Sequence, residues 1–273
     1  MSMNPVLPNF LVIGVQRSAT TWLFECLREH PDIFMPAEKE LHFFDENYQK
    51  GIEWYSRFFE SVHNEKVIGE ISPNYFHKPF AVDRIASDLP GAKMQIILRN
   101  PVERAYSAYM LYHERFKGIS FIDAFNKDKT LRDIGLYAKH LDSIFEIIPQ
   151  ERINITLYDD IIRCPDEYIR QTYRYVGVDE NFLPSGLLKT YNKIIFPNLQ
   201  SMLVKLGLKK RLEWFKNTQV GHLLKGSIRK NEPQKKKRKL AHEEYLKAIF
   251  RFYEEDIAKL ELLIGTDLSS WKK

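Results

Sequence analysis

The chain has 273 residues, 44% hydrophobic and 28% charged, with two cysteines and a net charge of +5. These fractions are those of a globular protein of one large or two small domains, and they exclude a disordered tail, a collagen and a coiled coil. No apolar run reaches the length of a membrane span, MSMNPVLPNF lacks the regions of a signal peptide, and Cys26 and Cys164 have neither disulfide-framework nor metal spacing, so a reducing compartment is the default.

Residues 10–15, FLVIGV, form a short apolar run suited to a buried parallel strand. The period then changes: residues 20–30 put Trp22, Leu23, Cys26 and Leu27 on one helical face, and Pro31 stops the helix. VIGEIS at 67–72 and MQIILR at 94–99 read as further strands. Asn100 and Pro101 supply a helix cap and first position, which predicts a helix over 101–116. RINITLY at 152–158 is a fourth strand, followed by helices near 165–176 and over 241–264. Strands alternating with helices predict an α/β fold with a central parallel sheet flanked by helices. Asn154-Ile155-Thr156 is formally a glycosylation sequon, but it falls in a strand expected to be buried and is read as chance.

Charge is concentrated in one place. Residues 229–239, RKNEPQKKKRK, carry seven basic side chains and one acidic, so the rest of the chain is close to neutral. A uniform basic face for nucleic acid is thereby excluded. The loop itself is a solvated or nuclear-import-like patch, or an anion clamp.

GVQRSATTW, residues 14–22, joins the first strand to the first helix. Such a turn presents unpaired backbone N–H groups and the positive end of a helix dipole, a setting for phosphate or sulfate. Arg17 adds a cation, and Ser18, Thr20 and Thr21 add hydroxyls. Set against the nucleotide-triphosphate loop G-x-x-x-x-G-K-[ST], Ala19 stands for the second glycine and Thr20 for the lysine. A nucleotide kinase or NTPase therefore lacks its phosphate-bridging lysine.

The same stretch resembles the 5′-phosphosulfate loop of sulfotransferases, whose pattern is close to P-K-S-G-T-T-W and whose donor is 3′-phosphoadenosine 5′-phosphosulfate (PAPS). Arg17 replaces the usual Lys and Ala19 a Gly. Ala19 then requires a loop without positive φ there, or one that tolerates the strain. LRNPVERAYSAY, residues 98–109, is similar to the family's second signature: Arg99 and Ser107 lie at the spacing of the pair that binds the 3′-phosphate. Arg104, between them, is expected in a structural ion pair. PAEKELHFFD, residues 36–45, resembles the E-x-E-x-H-F-F-D segment of heparan sulfate sulfotransferases and implies Glu40 as catalytic base, with His42 and Asp45 as neighbours. In an extended stretch Glu40 and His42 point to one side, which leaves His42 as the alternative base. GEISPNYF, 69–76, is similar to V-E-K-T-P-x-Y-F, with Ile71 where the family carries a lysine. GIEWYSRFF, 51–59, and DIAKLELLIGTDLSSW, 256–271, extend the resemblance from Phe10 to Trp271.

The resemblance implies one sulfotransferase domain over 1–273, with a topology like that of P-loop kinases. It implies in-line sulfuryl transfer from PAPS to a hydroxyl, or alternatively an amine, leaving adenosine 3′,5′-bisphosphate (PAP). No metal is required. Arg17, Ser18, Ala19, Thr20, Thr21 and Trp22 would form the donor loop, with Trp22 either beside the adenine or in the core. Arg99 and Ser107 would hold the 3′-phosphate, and the basic loop would close over it through Lys235 or Arg238. The acceptor would be a glycan, a lipid or a natural product, shaped by residues 45–60 and 190–230. The expected setting is cytoplasmic and bacterial, with no nucleic-acid partner. The rival readings are the nucleotide kinase or NTPase, and a nucleic-acid-binding protein using KKKRK.

Overall fold

A computed structural model describes residues 5–185, 187 and 249–272. Five parallel strands form one sheet in the order β2-β3-β1-β4-β5: β1 (Phe10–Gly14), β2 (Ile33–Phe34), β3 (Val67–Ile71), β4 (Lys93–Leu98) and β5 (Ile153–Leu157). Between them run α1 (Thr20–Arg28), α2 (Ile52–Ser56), α3 (Pro79–Asp88), α4 (Pro101–Leu111), α5 (Phe121–Lys127), α6 (Lys129–Asp133) and α7 (Tyr137–Ile147). After β5 come α8 (Tyr158–Arg163) and α9 (Pro165–Val176), and the chain is helical again over 249–264. The basic loop 229–239, with Lys235 and Arg238, and the acceptor-shaping segment 190–230 lie outside the described residues, as does the start of the expected helix 241–264.

Strand alternation builds the two cores. Leu11, Ile13, Met94, Ile96 and Leu98 face α3, α4, α7 and the last helix; Phe10, Val12 and Ile97 face α1 and α9. β1, at the centre, is buried along its whole length, which is why it reads as an unbroken apolar run rather than an alternating one. Each Ile, Leu or Val so buried contributes about 1.5–3 kcal/mol of transfer free energy. Gln95 is the polar exception in β4; its amide donates to Tyr168 Oη (2.8 Å) and Thr172 Oγ1 (3.4 Å) on α9. On α1 the face of Trp22, Leu23, Cys26 and Leu27 is buried, and burial pushes the Cys26 thiol up to about 12.

Two expectations change, and one strand was not expected. The helix expected over 101–116 ends at Leu111, because the chain turns at Tyr112 to bury Phe116 against Ala108, Ala124 and Leu131. β5 lies at the sheet edge, where only Ile153 is buried, so the sequon sits in a half-buried strand. β2, two residues long, carries too few side chains to show a period in the sequence.

The C-terminus is bound into the fold. Asp256 caps α7 by accepting from the N–H groups of Ala138 (3.0 Å) and Lys139 (3.1 Å). Trp271 donates to Asp159 (3.0 Å), and its carbonyl accepts from Asn100 Nδ2 (3.0 Å). Asn100 also accepts from the N–H groups of Val102 and Glu103, so the expected cap of α4 also anchors the chain end. No helix of the described residues is long and apolar enough to cross a membrane.

Candidate active site

The site forms beyond the C-terminal ends of β1, β3 and β4, where the loops after parallel strands converge. β1 ends at Gly14, where a side chain would not fit: a Cβ there would lie 2.7 Å from Phe76 Cβ. The Val15 N–H keeps the chain on β4 through the Ile97 carbonyl (3.1 Å). The loop then turns through positive φ at Arg17 (75°) and Ala19 (62°). Ala19 thus takes the strained alternative, at a cost of order 1–3 kcal/mol. Ala19 is also the N-cap of α1 and gives it no side-chain cap, so the first-turn N–H groups stay available. Ser18 is fully buried and its hydroxyl has no hydrogen-bond partner among the described residues. A helix start with an orphaned buried hydroxyl suits an anion.

Arg17 and Arg99 complete this pole. Arg17 Nε donates to Ser107 Oγ (3.1 Å), and Arg99 Nη1 donates to the Arg17 carbonyl (3.0 Å). Burial, and then the charge of Arg99, lower the Arg17 pKa from its usual value. Arg17 and Arg99 thus bring two positive charges to one loop, a setting that favours an anion. Arg99 also pairs with Glu103 (3.1 Å) and lies over the Tyr158 ring (4.4 Å), while its carbonyl accepts from Tyr137 (2.7 Å). Thr20 is buried and Thr21 exposed. Trp22 is 2% exposed and packs on Tyr168, so of its two readings the structure takes the core. Arg104 is the clear correction: it is fully buried and donates to the Leu131 carbonyl, with no carboxylate partner among the described residues. It secures α6 against α4 instead of forming an ion pair.

The acceptor pole departs from an extended stretch. Glu40 (φ 64°) and His42 (φ 51°) both take the left-handed conformation. The Glu40 N–H donates to the Ile71 carbonyl (3.2 Å), which fixes the turn against the end of β3. The two side chains nevertheless meet, His42 Nε2 lying 3.6 Å from Glu40 Oε2. His42 Nδ1 lies 3.1 Å from both oxygens of Asp45. His42 thus stands between two carboxylates, with Nδ1 turned to Asp45 and Nε2 to Glu40. The Asp45 side chain is fully buried and pairs with Lys78 (2.7 Å); Lys39 pairs with Glu40. Lys78, Lys39 and Gln16 were not singled out from the sequence. Lys78 stands before Pro79, at the start of α3, where the sequence gives no sign that it faces Asp45.

The sequence shows no metal-ligand cluster, but the fold brings His42, Asp45 and Glu46 within 4.8 Å of one another. Lys78, 2.7 Å from Asp45 and 3.9 Å from Glu46, already supplies the positive charge there. Ile71, in the place of the family lysine, is buried in the core with Trp22 and Ile97. Trp54 and Tyr55 pack with Phe43. Gln16 ties the loop after β1 to the segment after β3 and to the end of α4, donating to Asn74 Oδ1 (3.3 Å) and Tyr112 Oη (3.0 Å).

The loop after β1 thus carries Arg17 beside Arg99, and the turn after β2 carries the Glu40–His42 pair. The family model described as "Sulfotransferase domain" matches residues 7–261. The chain belongs to the sulfotransferase domain family. It is similar to the membrane-associated sulfotransferase kil1 of Dictyostelium discoideum, 44% identical over 106 residues, which cover 38% of this chain and 22% of that protein. It is also similar to the heparan sulfate glucosamine 3-O-sulfotransferase 3B1 of Mus musculus, 30% identical over 182 residues, covering 63% of this chain and 46% of that one. The chain thus spans less than half the length of these two relatives. The crystal structure of a sulfotransferase from Alicyclobacillus acidocaldarius superposes with a TM-score of 0.71 at 26% identity, covering 98% of this chain and all of that one. The parallel sheet with flanking helices is therefore the sulfotransferase fold, with a βα turn in the position of a phosphate loop.

Proposed function

We propose that this sulfotransferase-family chain moves a sulfuryl group from PAPS to a hydroxyl of a carbohydrate. The observation that carries the reading is the joining of Arg17 to Ser107 (3.1 Å) and of Arg99 to the Arg17 carbonyl (3.0 Å), beside the uncapped start of α1. Arg99 and Ser107 hold the 3′-phosphate. Arg17, the Ser18 hydroxyl and the N–H groups at Thr20 and Thr21 hold the 5′-phosphosulfate, which fits the orphaned state of Ser18 Oγ. Glu40 takes the acceptor proton as the hydroxyl oxygen bonds to sulfur. The bond from sulfur to the phosphate oxygen breaks, and PAP leaves with that electron pair. Arg17 and the α1 dipole stabilise charge as it develops on the bridging oxygen. Lys39 and His42 hold the Glu40 carboxylate between them, so either Glu40 or His42 Nε2 is within reach of the proton.

A carbohydrate acceptor is favoured by the PAEKELHFFD segment and by the likeness to heparan sulfate glucosamine 3-O-sulfotransferases, whose names specify a sugar hydroxyl. Calorimetric titration with PAP, AMP and ATP–magnesium tests the donor half. Contacts from charged groups to the 3′-phosphate predict a preference for PAP over AMP of about 10- to 100-fold. Equal or tighter binding of ATP, or no binding of any of the three, would overturn the reading.

A further inference from the structure

We propose that Glu70 is a positioning residue for the turn that carries Glu40 and His42. Glu70 lies in β3, inside the sheet, and is 1% exposed. A carboxylate in such a place is costly unless fully hydrogen-bonded. Three hydroxyls donate to it: Ser72 at 2.7 Å and Tyr75 at 2.8 Å to Oε1, and Tyr55 to Oε2. No Lys, Arg or His hydrogen-bonds to it among the described residues.

Two of these hydroxyls face the catalytic turn. Ser72 Oγ accepts from the His42 N–H (3.3 Å), and Tyr75 Oη accepts from the Phe44 N–H (3.4 Å). A hydroxyl has one proton. Because Glu70 takes it in both cases, the lone pairs are left toward the two amides. The third hydroxyl anchors the Tyr55 ring, which stacks on Phe43 with centroids 4.3 Å apart and planes 8° from parallel. The one carboxylate therefore orients contacts to residues 42, 43 and 44 in succession. That is what the turn needs, since left-handed backbone at non-glycine residues persists only where its surroundings over-determine it. Glu70 touches neither Glu40 nor His42 directly and acts through Ser72, Tyr75 and Tyr55.

The catalytic half of this proposal rests on Glu40 and His42 removing the acceptor proton; the geometric half does not. The test follows amide hydrogen exchange, PAP affinity and sulfate transfer from PAPS to heparan sulfate in E70Q, S72A and E40Q. S72A removes the relay to His42 and carries the test should E70Q fold poorly. We expect the His42 amide to exchange at least about tenfold faster in E70Q and S72A, with β1 and β4 unchanged. PAP affinity should stay within about twofold, and turnover should fall about 10- to 100-fold. Unchanged exchange at His42 and Phe44, or a rise spread evenly over the whole sheet, would overturn the positioning role. A fully active E40Q would instead overturn the base assignment and leave the exchange result standing.

Discussion

Arg17 Nε donates to the Ser107 hydroxyl across 3.1 Å, joining the loop after β1 to the middle of α4, ninety residues later. The contact uses the Nε that a lysine lacks, so Arg is not a simple substitute for the family's Lys here. R17K keeps the charge but loses the tie, and PAP affinity should fall about tenfold. R17A loses both, and should cost about 100-fold or more. Calorimetry on the two variants checks the order; equal losses would show that the tie contributes nothing.

Glu40 is 3.6 Å from His42 and ion-paired with Lys39, yet its side chain keeps about a third of its exposure, so an incoming hydroxyl can reach it. Glu40→Gln keeps the shape and removes the proposed base. Turnover should drop about 10²- to 10⁴-fold with PAP affinity nearly unchanged. If instead His42→Ala shows the larger drop in turnover, His42 Nε2 is the base.

Burial, and then the neighbouring His140, lower the His77 pKa from 6.5 to about 4. The folded state thus holds the neutral ring while the unfolded chain takes up a proton near pH 6.5. Stability from this group is fully present above pH 6.5 and is lost as pH falls toward 4, by up to about 3 kcal/mol. His140 is also lowered and adds in the same direction; Glu70, raised by burial, acts in the opposite sense as pH rises. Melting temperatures from pH 7 to 4 should fall less steeply for His77→Gln than for the parent protein.

Asn100 accepts from two first-turn N–H groups of α4 and donates to the Trp271 carbonyl. Asn100→Ala should therefore cost about 1–2 kcal/mol in urea denaturation, at the upper part of the range for a lost cap. Limited proteolysis should reveal a looser C-terminus. Unaltered protease resistance would assign Trp271's docking to Asp159 alone.

Four of the five strands were legible because they are apolar runs bounded by turn or cap residues, as MQIILR is by Asn100-Pro101. The end of α4 was not, because nothing local marks Leu111; the chain turns there to bury Phe116 against α5 and α6. The motif residues Arg17, Arg99, Ser107, Glu40 and His42 were legible as types at a spacing. Arg104 was misread, since a sequence does not show that an arginine will be fully buried against a carbonyl. Glu70 was not singled out: Ser72 and Tyr75 follow it in the same stretch, but nothing local shows that they turn back to it or that Tyr55 of α2 joins them.

Periodicity alone determined four of the strands, the phosphate-type turn at Gly14–Trp22 and the capped start of α4, because each depends on neighbours within a few residues; the alternation of strands with helices then implied the parallel sheet. The tertiary structure alone decided that Arg17 meets Ser107, that Asp45 is neutralised by Lys78, and that Glu40 and His42 face each other from left-handed backbone. The first two relationships join residues far apart in the chain, and a left-handed turn at non-glycine positions is held by contacts from elsewhere in the fold rather than by its own residues.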